Sequence, residues 1–336
     1  MRVRSLRHME DTEPRVLDEV DLALIHTLQL DARAPWTRIS AAIGVDAATV
    51  VRHWGALRDE GLAWLTAWPT PERWASSTDL ALVLVHAGAS AAARTAIVRR
   101  PWVLGVDETS AGLLLLVAAS AGLPQLGERV RDLETEATVL RMDVAAGVAA
   151  EDSTWRLRVL SAVQQRMLRS ARPAAAESAR LPKPQTVAEI AAALDEDPRM
   201  PSATLGARLG VSEATARRAV DRATSAGLLR FGCDLAMPGA GFRRGAVLWA
   251  RGADPEAAAA RAARLPEVHR AVVAVGPAPL SVSVRARSLT ALPAIERAWG
   301  PDVEIVDRWT VLRSIKRNGH ELDAAGRSIA RIPPRW

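Results

Sequence analysis

Apolar residues recur at helical spacing from Asp18 to Leu30, with Val20, Ala23, Leu24 and Leu28 on one side and Ile25 one face round. Asp18 stands where an N-cap belongs. Pro35 interrupts the chain, Thr37 to Ile43 predicts a short second helix ended by Gly44, and Asp46 caps a third that runs to Glu60 before Gly61. In the third helix Val50, Trp54 and Leu57 fall at i, i+4 and i+7, so they point inward, and Ala47, Ala48, Val51 and Arg52 point outward. A helix, a glycine turn and a second helix predict a helix-turn-helix, and the apolar stretch Leu62 to Trp68 predicts a wing.

The pattern then changes to period two. Leu80, Leu82 and Leu84 alternate with Ala81, Val83 and Val85, predicting a strand over Asp79 to His86. A helix (Ser90 to Arg100), two strands (Trp102 to Asp107, Leu113 to Ala119), a helix (Leu126 to Leu133) and a strand (Ala137 to Val144) follow. This βαββαβ order is the ferredoxin-like motif. The run Leu113 to Val117 implies burial on both faces, hence one sheet packed on another.

The whole pattern recurs. Asp31-Ala-Arg33-Ala-Pro35 returns as Asp197-Pro-Arg199-Met-Pro201, Gly44-Val45-Asp46 as Gly210-Val211-Ser212, and Gly61-Leu62 as Gly227-Leu228, every pair 166 positions apart. A constant offset implies one duplicated module. Helices are expected over Val187 to Leu194, Ser202 to Leu209 and Ser212 to Ala226, and a wing over Leu228 to Leu235. The second βαββαβ unit is expected over Ala246 to Ala250, Pro255 to Leu265, Val268 to Val275, Leu280 to Arg285, Leu289 to Trp299 and Val303 to Trp309. The expected fold class is α+β, with two winged helix-turn-helix domains (1–70, 185–237) alternating with two ferredoxin-like domains (78–150, 243–319). Between the copies lie an extra helix, Ser153 to Leu168, and an Ala/Pro-rich linker, Ala171 to Pro184, within 151–184; a tail occupies 320–336.

Composition narrows the function classes. The longest apolar run, Leu113 to Ala119, is far short of the ~20 residues that span a bilayer. No apolar signal core follows the basic stretch Met1 to Arg7. Cys233 is the only cysteine, which fits a reducing cytoplasm. The net charge of +6 is compatible with a polyanion partner.

No convincing catalytic set emerges. The six histidines, His8, His26, His53, His86, His269 and His320, are scattered, so neither a metal site nor a cofactor is expected, and His26 and His86 read as half-buried packing residues. The chemistry that does emerge belongs to nucleic acid. A major groove admits one helix, small residues near its N-terminus allow close approach, and guanidinium groups reach phosphates or guanine edges. The candidate DNA contacts are Asp46, Ala47, Ala48, Thr49, Arg52 and His53 in the first copy, and Ser212, Glu213, Thr215, Arg217, Arg218 and Arg222 in the second. Residues 46–60 carry a net charge of −1 (Arg52 and Arg58 against Asp46, Asp59 and Glu60). Residues 212–226 carry +1 (Arg217, Arg218 and Arg222 against Glu213 and Asp221), so the second reader is expected to grip DNA more strongly.

These residues resemble a known family. Leu17-Asp18-Glu-Val-Asp21, Leu28-Gln29-Leu-Asp31-Ala-Arg33, Gly44-Val-Asp46-Ala-Ala-Thr49-Val50-Val-Arg52 and Leu57-Arg-Asp-Glu60-Gly61-Leu62 are similar to Lrp/AsnC transcriptional regulators, and Val311 to Gly319 is similar to the close of their tandem-duplicated members. The resemblance implies a cytoplasmic regulator that binds double-stranded DNA as a homodimer or larger homo-oligomer. It also implies a small effector, an amino acid or other metabolite, held between the βαββαβ (RAM) domains. Thr109, Ser110, Gly112, Gly276 and Ala278 then become the candidate effector contacts. Their turns, Glu108 to Gly112 and Gly276 to Pro279, depart from the family's usual Gly-x-x-Asp. Siroheme decarboxylases share the same plan and supply the alternative reading. The absence of tyrosine and the scattered histidines weigh against it, so the chain is expected not to be an enzyme. If both RAM units pair within one chain, its two unlike readers are expected to favour an asymmetric site.

Overall fold

The computed structural model describes residues 15–70, 78–86, 88, 90–150, 155–169 and 182–334. The basic N-terminus, Ser153 and most of the Ala/Pro-rich linker (171–181) lie outside them. Helices α1 (Glu19–Leu30), α2 (Trp36–Ile43) and α3 (Ala47–Asp59) lead into strand β1 (Ala63–Pro69). Asp18 and Asp21 form a reciprocal capping box on α1. Gly44 ends α2 at φ +78, a left-handed conformation that costs glycine little and makes the tight turn between α2 and α3. Val50, Trp54 and Leu57 of α3 are buried against Leu24, Ile25, Leu28 and Ile39.

The next six elements are β2 (Asp79–Val85), α4 (Ala91–Arg99), β3 (Val103–Thr109), β4 (Gly112–Ala119), α5 (Gly122–Glu134) and β5 (Val139–Ala150). Helix α6 (Ala162–Arg169) follows. It is shorter than the sequence pattern suggests, because residues 155–160 run over the first helical unit as non-helical chain. The second half gives α7 (Pro184–Leu194), α8 (Ser202–Leu209), α9 (Glu213–Ser225) and β6 (Leu229–Leu235). It continues with β7 (Arg244–Gly252), α10 (Pro255–Ala262), β8 (Val268–Val275), β9 (Leu280–Ala286), α11 (Leu292–Trp299) and β10 (Val303–Arg317). The tail adds a hairpin, β11 (His320–Leu322) and β12 (Ser328–Arg331).

Neither β1 nor β6 stands free as a wing. They pair with each other, antiparallel, from Ala63↔Leu235 to Pro69↔Leu229, with Thr66 opposite Gly232. Thr66 and Gly232 are themselves 166 positions apart, so a local pseudo-two-fold axis passes through the middle of this ribbon. The hydrogen bonds beyond both ends obey the same symmetry: Ala236 N donates to Leu62 O (2.8 Å) and Thr70 N to Leu228 O (3.0 Å). The ribbon joins two cores. Cys233, Leu235 and Met237 pack with α1–α3, while Ala67 packs with Val187, Ile190, Leu205 and Val220 of the second trio.

A reciprocal arginine clamp repeats the symmetry. Arg33 donates to the carbonyls of Pro198 (2.5 Å) and Met200 (2.9 Å); Arg199 donates to those of Ala32 (2.6 Å) and Ala34 (2.8 Å). Arg199 also lies 3.8 Å over the ring of Trp36. Burial lowers the pKa of both guanidinium groups, although from a value so high that they stay charged.

The other strands close on themselves in the order β3-β4-β2-β5-β8-β9-β7-β10, with β10 returning to β3. The seams are carried by the longest strands. Strand β5 pairs with β2 up to Val144 and with β8 from Val144 to Ala150; β10 pairs with β7 up to Val311 and with β3 from Val311 to Lys316. Each of these eight strands thus has two neighbours, although β5 and β10 meet theirs along successive halves of their length. Helices α4 and α5 cover one stretch of outer surface through Ile97, Val98, Leu126 and Leu133, and α10 and α11 another through Ala258, Ala262, Ile295 and Trp299. The inner faces meet at Leu82, Leu84, Leu114, Val247, Trp249, Val272 and Trp309. The burial expected for Leu113 to Val117 is present: Leu113, Leu115 and Val117 face α4 and α5, and Leu114 and Leu116 face the interior.

A charged cluster sits at the β10–β3 seam. Asp107 (β3) accepts from Arg270 (3.2 Å), Arg285 (3.4 Å) and the Ser314 hydroxyl (2.5 Å), all buried. Burial pushes the Asp107 carboxyl up, but Arg285, Arg270 and Ser314 outweigh it and hold the group below its ordinary value. Nearby Lys316 donates to the carbonyls of Val98 (2.7 Å) and Arg100 (2.9 Å), and burial lowers its pKa to about 7.

Asp107→Asn removes the buried carboxylate shared by the Arg270 and Arg285 guanidinium groups and should cost about 3–5 kcal/mol, read as a fall in Tm. His26 accepts from the N–H of Val159 (3.1 Å) and of Leu160 (3.0 Å) through Nδ1, and burial, then Arg156 and Arg158, lower its pKa to about 4. The fold therefore excludes a proton that the unfolded chain accepts below about 6.5, so stability should fall as pH drops from about 6.5 towards 4. His26→Gln, which keeps an acceptor, should flatten that dependence in thermal melts across the window.

Candidate nucleic-acid interface

Helix α3 begins at the Asp46 cap, whose Oδ1 accepts from Thr49 N at 2.9 Å and whose Oδ2 accepts from the Thr49 hydroxyl at 2.7 Å. Those bonds to Thr49 hold the Asp46 carboxyl below its ordinary value. Helix α9 begins the same way, with Ser212 Oγ accepting from Thr215 N at 3.2 Å. Gly210, at φ +67, repeats the turn made by Gly44. The sequence-derived inward stripe of α9, Ala216, Val220 and Ala223, is fully buried.

The outward residues are displayed as the sequence implied. Ala48 and Arg52 on α3, and Glu213, Thr215, Arg217, Arg218 and Arg222 on α9, are exposed; Ala47 and Thr49 are half-buried. Arg218 lies near Thr215 Oγ1 (3.3 Å). His53 is half-buried too and is engaged within the fold, its Nδ1 2.8 Å from Asp21 Oδ1, so it ties α3 to α1. Spacing along the chain could not show this, because the partners are 32 positions apart.

Asp18, Asp21 and His53 bring three ligand-type atoms within 4.8 Å of one another. Each group is engaged within the fold. Asp18 accepts from Asp21 N (2.7 Å), and Asp21 accepts from Arg15 (2.9 Å) as well as meeting His53.

The first turn offered for effector contacts is bonded both within itself and to β10. Thr109 is buried and donates to Gly112 O (2.8 Å), and Ser110 exchanges two bonds with the Thr310 backbone (2.9 and 3.0 Å). Ala278 is buried in the sheet interior, and a side chain at Gly276 would collide with the Asp143 carboxylate. Of the histidines read as packing residues, His26 is buried as a hydrogen-bond acceptor, whereas His86 is exposed, its Nδ1 accepting from Gly88 N (3.0 Å). The Asp107–Arg270–Arg285–Ser314 cluster was not legible in sequence, because its members come from four strands that only the closed sheet brings together.

Among the described residues no helix is long and apolar enough to cross a membrane. No curated protein matches the chain. Among solved structures, siroheme decarboxylase NirDL in complex with an iron-uroporphyrin III analogue is 13% identical, covers 89% of this chain and 92% of its own, and gives a TM-score of 0.52. Its uncomplexed structure gives 0.51 over the same coverage. AsnC of E. coli is 22% identical over 40% of this chain and 94% of its own, with a TM-score of 0.33. The whole-length fold is thus one that an enzyme uses, and the expectation that the chain is not an enzyme does not stand. The histidine count and missing tyrosine misled because they describe composition, whereas a fold can host quite different sites. At the N-terminus the capping box, the left-handed glycine and the outward face of α3 all fall within a matching family model, and residues 17–58 are an AsnC-type helix-turn-helix domain.

Proposed function

We propose that this chain is a sequence-specific DNA-binding transcriptional regulator, built from a duplicated module of winged helix-turn-helix and ferredoxin-like domain, with α3 and α9 as its readers. The observation that carries the reading is the exposed set Arg217, Arg218 and Arg222 around the buried stripe of α9, in a unit symmetry-related to the AsnC-type domain at 17–58. Such a helix offers its guanidinium groups to phosphates and guanine edges. The β1–β6 ribbon and the arginine clamp hold the two readers as a pseudo-dimer within one polypeptide. The double helix charge pattern supports unequal roles, with α9 gripping the backbone more strongly.

A second reading, an enzyme acting on a carboxylate-rich tetrapyrrole, is favoured by the fold similarity to siroheme decarboxylase over 89% of the chain. One preparation separates the two. Fluorescence anisotropy on labelled genomic fragments should show binding whose log K falls with log salt concentration, as counterion release requires. Titration with siroheme should leave the visible spectrum of the free pigment unshifted; a shifted band and release of carbon dioxide would instead establish the second reading. For the first reading, Arg218→Ala should weaken binding by on the order of 1–3 kcal/mol, and Arg52→Ala by less. Equal losses at one fixed salt concentration would refute the ranking.

A further inference from the structure

The pseudo-two-fold axis makes the two readers comparable position by position. Thr66 faces Gly232, the Arg33 and Arg199 clamps are reciprocal, and the bonds flanking the ribbon at Leu62 and Leu228 match. Each of these pairs is 166 positions apart, so the same offset aligns α3 with α9. Part of the outward face is held in common. Thr49 corresponds to Thr215, Ala48 to Ala214, and Arg52 to Arg218. The rest differs in chemical kind. Ala47 corresponds to Glu213, Val51 to Arg217, and Ala56 to Arg222.

Two of those differences, Ala47/Glu213 and Val51/Arg217, lie in the first two turns, the part of a recognition helix that meets base edges. Val51 is 46% exposed, outside the stripe of α3 buried through Val50, Trp54 and Leu57. An apolar side chain presented to a major groove finds its favourable contact in the thymine 5-methyl group. Arginine at the corresponding place finds guanine N7 and O6, and a carboxylate one turn earlier accepts from the amino group of cytosine. Helices related by a two-fold axis meet the two strands of a duplex in inverted orientation.

We propose that one copy of this chain reads an inverted pair of unlike half-sites, thymine-bearing under α3 and guanine-bearing under α9, with Val51 and Arg217 setting the difference. The proposal rests on the DNA-binding reading given above. It goes further in assigning base chemistry to each half and in naming the residue pair that distinguishes them. Thr49, Thr215, Arg52 and Arg218, shared between the readers, supply whatever the halves have in common. The substitutions that test it are on exposed positions of capped helices, so folding should survive them, and a thermal melt confirms that it has.

The experiment is selection from a random duplex pool with the full chain, followed by the same selection with Val51→Arg and with Arg217→Val. The wild type should enrich two dissimilar halves in inverted orientation. Val51→Arg should bring guanine into the thymine-bearing half and make the motif more nearly palindromic. Arg217→Val should remove the guanine preference from the other half, lowering discrimination there about tenfold, the equivalent of 1.4 kcal/mol. Identical halves from the wild type, a single unpaired half-site, or one unchanged motif from all three proteins would overturn the proposal while leaving DNA binding intact. A pool with no enrichment, and no salt-dependent retention of any duplex, would remove the DNA-binding reading itself.

Discussion

The antiparallel pairing of β1 with β6 is the constraint on which the rest of the arrangement depends. Seven residues of each strand face one another, and the central pair occupies equivalent places in the two halves. Once that ladder forms, the helical trios can only be related by a local two-fold rotation, and their cores become continuous with the ribbon. The arginine clamp then satisfies backbone carbonyls that the loops before α2 and α8 would otherwise bury. Two strands whose sequence suggests exposed wings thus serve as the joint between two readers. The outward faces of α3 and α9 are left exposed on either side of that joint.

The closed sheet solves the complementary problem. A four-stranded unit covered by helices on one side has a bare face and two open edges. Here β5 and β10 run on past their own units and pair with β8 and β3, which covers the edges of those two strands and turns both bare faces inward. Closure brings Asp107, Arg270, Arg285 and Ser314 into one buried network at a seam. Taking charges out of water is costly, and here both Asp107 oxygens are engaged, by Arg270 on one and by Arg285 and Ser314 on the other.

The helical units are fastened to the sheet at both ends of the second half. The segment before α6 is held by Trp155, which donates to Pro266 O (2.9 Å), and by Gln29 and His26, which accept from its backbone. The C-terminal hairpin reaches both trios. Ser328 N donates to Gly61 O (2.8 Å), His320 stacks on Trp64, and Arg331 binds the Asp195 carboxylate (2.5 Å). Gly61, at φ +68, has no Cβ to block this approach, since one would strike the Ser328 carbonyl. Arg317, buried at the end of β10, binds Asp234 of β6 (2.7 Å), so the sheet and the ribbon share a charged contact.

Local pattern alone determined the order of elements from α1 to β10 but not the C-terminal hairpin, together with the helix caps at Asp18 and Asp46, the turns at Gly44 and Gly210, and the buried stripes of α3 and α9. Each depends on residues within a few positions of one another. The 166-position repeat was equally visible, and so was the double-sided burial of Leu113 to Val117. Tertiary structure alone decided the fate of the wings, the extension of β5 through Ala145 to Ala150, the pairing of His53 with Asp21, and the assembly of the Asp107 cluster. These contacts join residues from 32 to more than 170 positions apart. No periodicity records which distant partner satisfies a strand edge or a buried charge, because that choice is made only when the chain closes on itself.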